Sequence, residues 1–86
     1  MEEGLPPLEF PLTWNGKIIA HDTDDIHSRL QEAVSGLGLT ETVRRGNVSR
    51  EGRYVTLNVT VEFLDREMMV RVTETLAAVR GVRMVL

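Results

Sequence analysis

Tyr54-Val55-Thr56-Leu57-Asn58-Val59-Thr60-Val61-Glu62-Phe63 alternates apolar and polar residues without a break. That period of two marks a strand with one packed and one polar face. Such alternation points to an antiparallel sheet, because strands of parallel sheets are covered on both faces and are apolar throughout. Upstream, Ser49-Arg50-Glu51-Gly52 separates this strand from a weaker stretch containing Val43 and Val48, so the two read as a hairpin, with Gly52 at positive φ and Gly46 at a bulge.

Downstream, Asp65 is placed to cap a helix whose Met69, Val72, Leu76 and Val79 recur at steps of three and four. Gly81 is expected to stop it, about 16 residues after the cap. Val82, Met84 and Leu86 then alternate with Arg83 and Val85 as a short last strand. The first half repeats the pattern. Thr13 to Ala20 reads as a strand, Asp22 or Thr23 as the cap of a helix bearing Ile26, Leu30, Ala33, Val34 and Leu37, and Gly36 and Gly38 as its close. The order βαββαβ with right-handed crossovers gives a ferredoxin-like α+β sandwich: an antiparallel sheet of order 4-1-3-2 with two helices on one face. Trp14 shares the parity of Ile18 and is expected to cap the core.

At 86 residues the chain has length for one domain, expected over 10–86 after a flexible leader at 1–9 that contains Gly4-Leu5-Pro6-Pro7. With 42% hydrophobic and 27% charged residues it is too apolar for disorder, and it has no run of 18 apolar residues to span a membrane. The absence of cysteine removes disulfides, zinc fingers and thiol nucleophiles, and fits a cytoplasmic setting. Met1 is followed by Glu2 and Glu3 rather than by a basic and then an apolar region, so no export signal is expected. Residues 1–41 carry eight acids against two bases, and residues 42–86 five acids against eight bases. The simplest reading is complementary surfaces within one domain. A net charge of −3 disfavours nucleic acid as a partner.

Phe10-Pro11, Trp14, Lys17-Ile18 and Ala20 at the start, Ser49-Arg50, Gly52 and Tyr54 at the hairpin, and Val82-Arg83-Met84-Val85-Leu86 at the end are similar to the YbeD-like family of small bacterial proteins of unknown function. The terminal five residues are the most specific part. The resemblance implies a ferredoxin-like domain of the kind shared with ACT regulatory modules, with no catalytic residue to transfer. The chain differs from that family at Ala20, where glycine is usual, and in its Gly36-x-Gly38 loop.

Candidate sites are few. His21-Asp22-Thr23-Asp24-Asp25 with His27 offers metal-ligand chemistry, but the carboxylates equally suit a helix N-terminus, and no metal is expected. His27 and Ser28 are helix neighbours about 100° apart and cannot act as base and nucleophile together. Gly36-Leu37-Gly38 follows a helix rather than preceding one, so it is a C-cap and not a phosphate loop. Arg44, Arg45, Arg50 and Arg53 surround the hairpin and read as its solvated end. Base stacking would need more than Tyr54 on the outward face of the long strand.

That outward face carries a different suggestion. With Ile18 and Met84 pointing to the helices, Ile19 and Val85 would join Thr56 and Thr60 in an uncharged, partly apolar strip suited to protein contact. The expectation is therefore a non-enzymatic regulatory or protein-interaction module without a cofactor, acting through Ile19, Thr56, Thr60 and Val85 on a protein partner or on a second copy as a homodimer. The alternative is an ACT-like sensor, holding a small metabolite beside the loop of His21, Asp22, Asp24 and Asp25 at a dimer interface.

Overall fold

The computed structural model describes residues 8–86. Its elements are β1 (Leu12–His21), α1 (Ile26–Gly36), β2 (Arg44–Val48), β3 (Tyr54–Phe63), α2 (Arg66–Ala77) and β4 (Val82–Val85). The four strands form one antiparallel sheet in the order β2-β3-β1-β4, which is the expected ferredoxin-like arrangement. Most of the leader proposed for residues 1–9 lies outside the described residues.

The long alternating stretch becomes the centre of the sheet. β3 pairs with β1 along the full length of both, from Leu12 opposite Phe63 to His21 opposite Tyr54. Val55, Leu57, Val59, Val61 and Phe63 are buried, as are Ile18 and Ala20 across from Leu57 and Val55. On these residues sit Ile26, Leu30 and Val34 of α1 and Val72 and Leu76 of α2. Trp14 packs against this core and stacks on Phe63, with ring centroids 5.3 Å apart. Its indole lies forward along the strand over Gly16, where an added Cβ would meet the ring carbon Cζ2 at 2.5 Å. Only glycine leaves room for the ring.

The hairpin closes as read. Ser49 Oγ accepts from the amides of Arg53 and Tyr54, the Gly52 amide donates to the Ser49 carbonyl, and Gly52 has φ 76°. The register between β2 and β3 shifts between Arg45 and Val48, which places a bulge within Gly46-Asn47. At Gly46 a Cβ would press within 2.7 Å of the Asn58 amide nitrogen. For α2, Asp65 is the cap and accepts from the Met68 amide at 2.8 Å.

Helix ends differ from expectation in two places. α1 is not capped by Asp22 or Thr23: Asp25 holds the cap position, and its carboxylate turns aside to Thr23 Oγ1 and to Arg29 one turn later. α2 has 12 residues rather than about 16, because the chain leaves the helix at Ala78 and turns before Gly81 at φ 97°.

Candidate interaction face

With both helices packed on one side, no other element among the described residues covers the other side of the sheet. Cross-strand register sorts its side chains into rows, since directly paired residues share a face. At one end Glu62 sits opposite Thr13, and next to them Thr60 donates to Asn15 Oδ1 at 3.0 Å. The middle row spans β2, β3 and β1 and ends on Leu86, just after β4. Arg44 and Lys17 flank Asn58, and Leu86 faces Lys17 through reciprocal backbone bonds of 2.8 and 3.2 Å. The following row holds Thr56, Ile19 and Met84, and the last brings together Tyr54, His21 and Arg83.

Ile19, Thr56 and Thr60 therefore lie on the open face as expected, whereas Val85 does not. It pairs with Ile18 and packs against the core, and Met84, opposite Ile19 and 50% exposed, takes the outward place. The cause is a bulge. Ile19 pairs with Met84 but Ala20 with Val82, so Arg83 is one residue too many and the parity of the strand reverses across it. The signal was present in the spacing of Val82 and Val85. Two inward residues three apart cannot belong to an unbroken alternation.

Arg83 uses the extra length to reach across β1. Its Nη1 donates to the Tyr54 hydroxyl at 3.1 Å and its guanidinium lies 5.7 Å from the ring centroid, while His21 tilts against the same ring with centroids 5.1 Å apart. Ile19, Tyr54, Arg83 and Met84 line a shallow hollow of about 250 Å³. Neither Arg83 nor Met84 was singled out as a site residue from the sequence, because the bulge hid which way each points.

The acidic loop is spoken for internally. Asp22 pairs with Arg45 at 2.8 Å, which joins the negatively charged half of the chain to the positively charged half. Asp25 accepts from Thr23 Oγ1 at 3.0 Å and from Arg29 at 2.7 Å; Asp24 is exposed, and His21 faces the open sheet beside Tyr54. His27 points the other way, with Nε2 2.6 Å from the Val43 carbonyl, which can only accept, so the ring donates. Gln31 bonds the Val43 amide and the Glu41 carbonyl, and the two side chains fasten the lead into β2 onto α1. Among the described residues no three metal-ligating side chains converge.

The hydrogen bond from Thr23, with help from Arg29, holds the Asp25 carboxyl below its ordinary 3.8. A depressed folded value means the stabilisation is present above the unfolded value and disappears as pH falls through the folded one. Carboxyl-carbon NMR titration should give Asp25 a midpoint below 3.8, and Thr23→Ala should raise it. An unchanged midpoint in the variant would remove Thr23 as the cause.

The profile of a family of proteins of unknown function, DUF493, matches residues 6–86. The chain belongs to the DUF493 family. Two solution structures of the protein HP0495 from Helicobacter pylori share the fold of this DUF493 chain. One is 16% identical with a TM-score of 0.79, covering 99% of this chain and 91% of that one. The other is 18% identical with a TM-score of 0.67, covering 99% and 96%. No curated protein matches this DUF493 member. No helix among its described residues is long and apolar enough to cross a membrane.

Proposed function

We propose that the chain is a non-enzymatic regulatory or protein-interaction module of the cytoplasm that makes its contacts through the open face of the sheet. The observation that carries this is the row of Thr56, Ile19 and Met84, an uncharged and partly apolar strip across the sheet with no helix over it among the described residues. The core is built from the opposite face of the sheet, and Ile19, Thr56 and Met84 are not part of it, so core packing does not account for the apolar side chains of the strip. The YbeD-like resemblance, through the fold shared with ACT regulatory modules, supports the same reading. A sensor using the His21–Asp25 loop would first have to displace the Asp22–Arg45 and Asp25–Arg29 pairs, which favours the contact surface over the loop.

Placing a photo-crosslinking amino acid at Thr56 on the sheet, and separately at Val70 on the exposed side of α2, tests this directly. In extract of the source cells, position 56 should yield discrete protein adducts and position 70 none. Adducts from position 70 alone, or from neither position, would overturn the assignment of the face.

A further inference from the structure

The partner of this face can be given a chemistry, and the inference rests on the interaction reading above. Although the chain has a net charge of −3, its open face carries Lys17, Arg44 and Arg83 against Glu62 as the one acidic side chain among the described residues. All three cations are exposed. The ion pairs among the described residues are Arg29–Asp25, Arg45–Asp22 and Arg53–Glu51, so none of the three has a carboxylate within 4.0 Å there. The positions of the charges matter as much as their number. Lys17 and Arg44 stand in the row on one side of the apolar strip, and Arg83 stands in the row on the other.

Successive rows on one face of a strand are two residues apart, about 6.6 Å. An extended segment laid along the strands presents its own side chains at that same interval. We propose that the open face docks an acidic, extended segment of another protein, with an apolar side chain seated on Ile19 and Met84 and carboxylates two residues to either side of it. One carboxylate meets Lys17 and Arg44, and the other meets Arg83, whose guanidinium is already held in place by the Tyr54 hydroxyl and ring. Charge steers such a segment and fixes its register, while the apolar strip supplies burial. A second copy docked with its strip on this one would set cation rows against cation rows. Nucleic acid finds the Tyr54 ring covered by Arg83 and His21, with no free platform for a base.

The probes are three short peptides followed by amide NMR shifts: one with Glu two residues before and two after a central Leu, one with Gln in place of both Glu, and one with Lys. Expected is binding of the Glu peptide about tenfold or more tighter than either other, weakening between about 20 and 200 mM salt, with shifts at Lys17, Ile19, Tyr54 and Arg83. Lys17→Gln and Arg44→Gln, both at exposed positions, should each weaken it while leaving the melting temperature unchanged. Equal binding of Glu and Gln peptides, lost in Met84→Asp, would keep the interaction face and overturn its acidic partner. Failure of all three peptides would overturn the proposal, as would tighter binding of an oligothymidylate. Concentration-dependent dimerisation in sedimentation, abolished by Met84→Asp, would assign the face to a second copy instead.

Discussion

Gly16→Ala should destabilise the protein by about 2–4 kcal/mol, as much as a large change in the core, although it adds a single methyl group. The methyl would occupy the place of the Trp14 indole, which lies over Gly16 and against Phe63. Phe63 cannot yield, since it is 1% exposed and closes the end of the core. The indole must therefore swing toward solvent and surrender its stacking and its contact with the core. For a domain of this size the loss corresponds to a fall of roughly 10–25 °C in melting temperature. Trp14 is the sole tryptophan, so its emission should shift to the red in the folded variant. Trp14→Leu in the Gly16→Ala background should cost less than the sum of the two single changes, because the clash goes with the ring. A Gly16→Ala protein of wild-type stability and emission would contradict the packing.

The pairing of long strands and the sidedness of the helices were legible because each rests on a period that only one structure satisfies. Five alternating apolar residues from Val55 to Phe63 leave no choice of face, and Val72 and Leu76 lie one turn apart toward the same core. Asp65 was legible as a cap because, among the described residues, its carboxylate meets only the Met68 amide. At α1 a competitor exists: Arg29 draws the Asp25 carboxylate outward, and propensity for a cap cannot reveal a partner four residues away. The candidate face was only half legible. Ile19, Thr56 and Thr60 follow from unbroken strands, but everything contributed by β4 depends on a bulge that inverts parity between Val82 and Met84. The same inversion brings Arg83 and Met84 outward and turns Val85 in.

The uneven distribution of charge along the chain has two structural outcomes that composition alone does not separate. Arg45 meets Asp22 and so spends one positive charge of the second half on one negative charge of the first. Arg44, adjacent in sequence, points across β3 toward the open face and, among the described residues, meets only the Thr60 hydroxyl at 3.5 Å. Adjacent residues of a strand face opposite ways, so a pair of arginines divides between an internal contact and a free cation. Hence an acidic protein can present a basic face.

Leu57→Ala should cost about 2–5 kcal/mol, and Thr56→Ala, one residue away, no more than about 0.5 kcal/mol. Leu57 is fully buried between the helices and Ile18, and truncating it leaves a cavity that a sheet paired on both sides cannot collapse to fill. Thr56 loses a hydroxyl and a methyl group on the bare face, opposite Ile19. Denaturant unfolding of the two variants measures the difference. Comparable losses would mean that the open face is covered within the folded chain, and the interaction reading would lose its surface. A large difference would establish that stability resides on one set of alternate residues of the strand and leaves the other set free of it. Residues facing away from the helices are then free of the demands of folding, so substitutions at Thr56, Lys17 or Met84 that abolish binding without lowering the melting temperature report on recognition alone.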